Sequence, residues 1–156
     1  MRAQLAQDVE LISPLTDGFR FRGVDEVMAV FEAAFELLTD IEIVALTGAE
    51  SDWVLHGANR LGGANLEEIQ WLHLDAAGRI DRITLFIRPA SAAVSLLSRI
   101  GAPLARRGAL GRAAAASSAA ARPLAAALRL TESRLMPTLK PPPAGSSDAV
   151  GRDHRA

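Results

Sequence analysis

The chain of 156 residues has no cysteine and no tyrosine, and its aromatic content is two tryptophans and five phenylalanines. Without cysteine, disulfides and thiolate metal sites are excluded. Without tyrosine, no phenolic hydroxyl is available to stabilise a developing oxyanion. No apolar run approaches the roughly 20 residues needed to cross a bilayer, and no charged-then-apolar leader opens the chain. The expectation is a cytoplasmic protein with no membrane span. The three histidines are far apart, the glycines form no phosphate loop, and no serine, histidine and aspartate stand in a defensible triad order. No metal and no cofactor is therefore expected.

The near-zero net charge hides an asymmetry. Residues 1–101 hold 8 Lys+Arg against 15 Asp+Glu, a net −7, and residues 102–156 hold 9 against 3, a net +6. An acidic first part argues against a nucleic-acid site on it. The division expected from composition is a domain over 1–101 and a basic Ala/Pro-rich tail over 102–156. Alanine makes up 16 of the last 55 residues and Pro141-Pro142-Pro143 follows. The tail lacks large apolar residues to dock it, so it is expected to be largely disordered or transiently helical.

What is present is strong alternation. Leu66–Leu74 and Ile80–Ile87 flank Asp75-Ala76-Ala77-Gly78-Arg79. Period-two patterning predicts strands, and Gly78 suits a short hairpin loop with a bulge. Leu66, Glu68, Gln70, Leu72 and Leu74 share one face, with Ile83, Leu85 and Ile87 on the second strand. Glu67, Ile69, Trp71 and His73 share the other with Arg82, Thr84, Phe86 and Arg88. Both faces carry apolar groups, so both need cover.

Before the hairpin, Met1–Gln7 reads as the last turns of a helix or a frayed start, and Asp8–Leu15 as an edge strand or a strand end closed by Pro14. Val24–Leu38 is a helix, with Val24, Val27, Met28, Phe31, Ala34, Phe35 and Leu38 as its stripe. Ile41–Leu46 and Trp53–Arg60 read as strands, and Gly57 suggests a bulge in the second. Ala90–Ile100 reads as a short helix ended by Gly101.

A strand, a helix and a four-strand meander give an α+β antiparallel sheet with helices on one face. The segments DVELISPLT…FRG and LDAAGRIDRITLFIRP, with their D-x-x-G-R-I turn and terminal F-x-R-P, resemble the SnoaL-like branch of the nuclear transport factor two-like superfamily over about residues 8–100. The resemblance implies a strongly curved sheet wrapped around helices, a cone with an internal pocket, and a homodimer through the outer sheet face at Ile69, Trp71, His73 and Phe86. Members usually begin with a long helix of which only the final turns fit before Asp8, so the expectation is a truncated N-terminal helix, from a start upstream of Met1 in preference to a more open pocket.

Members include ketosteroid isomerases, polyketide cyclases, epoxide hydrolases and dehydratases, so the fold leaves the chemistry open. In the isomerases the base is an aspartate just before the first strand's proline, and Ser13 stands there. Gln70 falls where their protonated aspartate stands, and there is no tyrosine, so that chemistry is not expected. The resemblance makes Glu68 the candidate acid or base, with His56 as a second candidate and Gln70 as a neighbouring donor. Ser13, Trp53, Leu55, Gln70, Leu72, Ile83 and Leu85 are the expected pocket residues. The implied function is cyclase, hydrolase or lyase chemistry on a small hydrophobic molecule. The alternative is a non-catalytic ligand-binding or dimerisation module.

Overall fold

A computed structural model describes residues 1–140. A 3-10 turn at Arg2–Gln4 leads into β1 (Leu5–Ile12), β2 (Phe21–Arg22) and α1 (Gly23–Leu37). Then come β3 (Leu38–Ala49), β4 (Asp52–Leu61), β5 (Ala64–Leu74) and β6 (Ile80–Arg88). Three helices follow, α2 (Ala90–Arg106), α3 (Arg112–Ala119) and α4 (Arg122–Arg134), and a 3-10 turn at Met136–Leu139. The expected α+β class is present.

The six strands form one open sheet in the order β2-β1-β6-β5-β4-β3. It is mixed rather than wholly antiparallel, because β1 lies parallel to β6. The first strand takes its place beside the last, and α1 and the meander connect the two. Register shifts interrupt β1·β6, β3·β4 and β5·β6. Such extra residues bend and twist a strand locally.

The hairpin is the one expected. Asp75 Oδ1 accepts the backbone N–H of Ala77 and of Arg79 at 2.8 and 2.9 Å, and Gly78 takes the positive φ of 73° that the turn needs. His73 pairs with Arg82 and Leu74 with Ile80, so Asp81 is the extra residue of the bulge.

Other expectations are corrected. Met1–Gln7 is not the end of a helix; β1 already starts at Leu5, because Leu5, Ala6, Val9 and Leu11 are all buried against the helices. The bulge near Gly57 falls on β3, between Ile43 and Ala45, while β4 and β5 pair without interruption through Gly57. Gly57 serves a different end: a Cβ there would stand 3.1 Å from both Cγ and Oε1 of Glu68. Phe35 is half exposed rather than part of the buried stripe.

The largest difference lies after residue 100. α2 runs through Gly101 and Pro103 to Arg106, so a boundary at 101 falls inside a helix. Gly101 does not stop α2. It lets α3 come close: a Cβ on Gly101 would lie 2.6 Å from the Ser118 Cβ and 3.0 Å from the Ala115 Cα. The Ser118 hydroxyl donates to the Leu97 carbonyl, and Ser91 donates to the Glu132 carboxylate, tying α3 and α4 to α2. Alanine-rich helices dock here by close backbone approach rather than by large side chains. Pro141–Pro143 and the rest of the expected tail lie outside the described residues.

The core has two parts on the helix-covered face. Leu5, Val9, Leu11, Phe21, Val27, Phe31, Ile83 and Leu104 form one, and Leu38, Leu61, Leu66, Ala92 and Leu96 the other. Ile100 touches both, and a cavity opens between them.

Candidate functional site

The cavity measures about 490 Å³, within the range of small-molecule sites. The sheet contributes Leu11, Leu85, Ile87 and Glu68, α1 contributes Val30, Phe31, Ala34 and Phe35, and α2 contributes Leu96, Leu97, Ile100 and Leu104. Leu110, Ala114, Ser117 and Ser118 close it from the α3 side, and Ser13 to Thr16 with Phe19 form its rim after β1. Among these residues Glu68 carries the one charge.

Strand pairing explains why Glu68 points inward. Glu68 pairs with Ile87 and Gly57, Gln70 with Leu85 and Leu55, and Leu72 with Ile83 and Trp53. Directly paired residues share a face, so this whole set faces the helices. Gln70 Nε2 donates to Glu68 Oε1 at 3.2 Å. Ser13, Glu68 and Leu85 therefore line the cavity together, and Gln70 stands beside them. Ile83 is buried in the core, with Leu72 packed on it. Trp53 and Leu55 lie on the same face but beyond the cavity; the Trp53 indole donates to the Glu50 carbonyl at 3.3 Å.

His56 is not brought to Glu68. It pairs with Ile69 and so lies on the opposite face, where its Nε2 is 3.6 Å from Glu67 Oε2. The same carboxylate accepts from Arg88 at 3.1 Å. His73, on that outer face, sits 2.6 Å from Asp81 Oδ1. Asp81, the extra residue of the bulge, is thus the partner of His73 across the hairpin. The Trp71 indole donates to Asp52 Oδ1 at 2.9 Å. Ser51 first, and then Trp71, hydrogen-bond to the Asp52 carboxyl and hold it below its ordinary range.

Sequence reasoning missed the contribution of α3 to the cavity, and it missed the buried Asn59, which lies outside the cavity's lining. α3 was assigned to the tail, and no periodicity of large residues marks it. Asn59 carried no motif, although its place between Gly57 and Leu61 puts it on the inner face. Its side chain is 5% exposed, and neither its Nδ2 nor its Oδ1 has a hydrogen-bond partner among the described residues. No group of acidic and histidine side chains among those residues is arranged to hold a metal. No helix among them is long and apolar enough to cross a membrane.

No family model matches the chain, and no curated protein does. Solved structures do. A steroid delta-isomerase from Pseudomonas aeruginosa superposes with a TM-score of 0.63 at 22% identity, over 70% of this chain and 80% of that one. An uncharacterised bacterial protein with a cystatin-like fold, from Silicibacter pomeroyi, gives 0.62 at 23% identity over 65% and 71%. A de novo designed protein with a curved β-sheet gives 0.52 at 15% identity over 61% and 76%. These likenesses show the fold alone, an α+β fold with a curved sheet that this chain shares with those structures.

Proposed function

We propose that this chain binds a small, largely apolar molecule in the cavity behind the hairpin, with Glu68 as its polar contact. The observation that carries the reading is the lining itself: about 490 Å³ walled by aliphatic and phenyl side chains, with a single carboxylate among them. Burial of apolar ligand surface supplies the affinity, and one polar group fixes orientation. Native mass spectrometry and titration with the neutral dye Nile red test it. The wild type is expected to carry a bound apolar mass or to enhance the dye's fluorescence. Ala114→Trp, which fills the cavity from the exposed helix α3, is expected to lose both. No uptake by the wild type, or equal uptake by the two, contradicts the reading.

A second reading makes Glu68 an acid or base for cyclase, hydrolase or lyase chemistry. It is favoured by the Gln70 hydrogen bond, which engages Oε1 and leaves Oε2 for a proton, and by the likeness to a fold that a steroid delta-isomerase uses. Glu68→Gln keeps the side chain's shape and removes its basicity. Turnover of a bound substrate is lost in this variant if Glu68 transfers the proton, whereas binding alone changes little.

The outer face is the proposed seat of a second copy of the chain. Trp71 and Phe86 stand 45% and 52% exposed on it, beside Ile69 and His73, and its charges are of both signs: Arg82, Arg88 and His56 with Glu67, Asp52 and Asp81. Mixed charge suits a self-complementary two-fold contact. Light scattering is expected to give a dimer that Phe86→Asp dissociates; a monomeric wild type contradicts it.

A further inference from the structure

We propose that the cavity takes an organic ammonium ion, a protonated amine on an apolar body, with the Glu68 carboxylate as its counter-charge. The inference rests on the cavity being a ligand site and names what that site takes.

Three carboxylates elsewhere in the fold show the usual arrangement. Glu67 meets His56 and Arg88, Glu36 meets Arg106 and Arg107, and Glu10 meets Arg20 and Arg22. Glu68 stands instead on an apolar wall, and among the described residues it makes no ion pair. Its one side-chain hydrogen bond comes from Gln70 and engages Oε1, which leaves Oε2 without a partner among those residues. No lysine, arginine or histidine lines the cavity. The other polar side chains of the lining are uncharged and already engaged. Ser117 and Ser118 donate to the Ala113 and Leu97 carbonyls, and the Ser13 and Thr16 hydroxyls accept the N–H groups of Leu15 and Gly18. A charge withdrawn from water costs much unless an opposite charge meets it. A hydrocarbon that filled this space would strip water from Glu68 and return nothing, whereas an ammonium brings the missing charge.

The apolar part of the lining leans the same way. Four of the chain's five phenylalanines, Phe19, Phe21, Phe31 and Phe35, line this one cavity. They stand as two pairs, Phe19 with Phe21 edge to face at 5.4 Å between ring centroids and Phe31 with Phe35 tilted at 6.1 Å. Aromatic ring faces carry the negative part of the quadrupole and attract cations. Carboxylate and phenyl walls therefore favour the same sign of ligand charge, and the aliphatic walls take the hydrocarbon body. A neutral alcohol donates to Glu68 as well but leaves its charge unbalanced. A carboxylate ligand would set a second negative charge against it.

Four naphthalenes of nearly equal size test the assignment: 2-(aminomethyl)naphthalene, 2-(hydroxymethyl)naphthalene, 2-methylnaphthalene and 2-naphthoate. Fluorescence titration of the full chain at neutral pH is expected to rank the amine about tenfold or more above each of the others, because a hydrogen bond between charged groups is about twice as strong as a neutral one. Glu68→Gln is expected to bring the amine down to the level of the alcohol, with circular dichroism reporting that the variant is folded. Ala114→Trp, which fills the cavity from α3, is expected to lose the amine together with Nile red. An acid or base role for Glu68 on a neutral substrate predicts no such ranking. Equal wild-type affinities, a higher place for any of the other three probes, or an amine preference that survives in either variant overturns the seat. The wild-type ranking needs no variant and can overturn it alone. Uptake of Nile red with no preference for the amine overturns the seat and leaves the cavity reading standing. Failure of Nile red and of all four naphthalenes overturns both.

Discussion

The two faces of the β5–β6 hairpin both carry apolar residues, and they treat polar groups in opposite ways. On the outer face most of the polar side chains are paired: His56 and Arg88 meet Glu67, His73 meets Asp81, and Trp71 meets Asp52. These groups stay at least partly solvated, so their pairing adds little stability. On the inner face polar groups are few, water is largely excluded, and yet Asn59 has no partner while Glu68 has only Gln70. A polar group costs least where it is solvated and most where it is buried. The sparsely partnered groups therefore sit where leaving them so is most expensive, and Glu68, the one of them on the cavity wall, is the one a ligand could reach.

The largest effect should separate the faces by stability. Leu66 is 1% exposed within the inner cluster, so Leu66→Ala should cost about 2–5 kcal/mol in urea denaturation. Phe86→Ala should cost the folded protomer about 1 kcal/mol or less and act instead on dimer dissociation. Equal costs at high dilution would erase the distinction. Next comes the cover over the inner face. Gly101→Ala would stabilise an isolated helix by about 1 kcal/mol. Here it should lower the melting temperature by several degrees, because the added Cβ meets Ser118 and Ala115. A rise in calorimetry would mean that α3 does not close the cavity.

The smallest effect is acid sensitivity at the joint between α1 and α2. Hydrogen bonds from Arg107, and then from Arg106, hold the Glu36 carboxyl below its ordinary value of 4.5. A depressed carboxyl contributes stability above its unfolded value, and the contribution disappears as pH falls through the lower folded value. Glu36→Gln should therefore be slightly less stable than the wild type at pH 7 and equal to it at the acid end of a thermal series. A gap that widens toward low pH would contradict this sign.

The hairpin, its loop at Gly78 and the division of its faces were legible because strict alternation carries them. The helix over 24–38 was legible from its stripe, to within a residue at each end. The parallel β1·β6 pairing was not, since strand order is a long-range property that no local pattern encodes. The helices after Gly101 were misjudged for a physical reason: close packing between small residues leaves no apolar stripe to read. At the site, Glu68, Ser13 and Leu85 were expected at a pocket from alternation and resemblance together, and all three lie on the wall of the cavity. His56 was weighed as a catalytic candidate by residue type, although it stands one residue out of phase with the inner face, between Leu55 and Gly57. Asn59 was passed over because a burial deficit is visible only once the neighbours are in place.

The direct test of the account is to find where a ligand sits. A two-dimensional NMR titration with Nile red, read at the β4–β6 backbone amides, the α3 amides and the side chains of Trp71 and His56, reports both faces at once. The account predicts large shifts at Glu68, Leu85 and Ile87 and at the α3 residues Ala114 and Ser118, with the outer-face side chains of Trp71 and His56 unmoved. Saturable shifts confined to the Trp71 indole and its outer-face neighbours would contradict it.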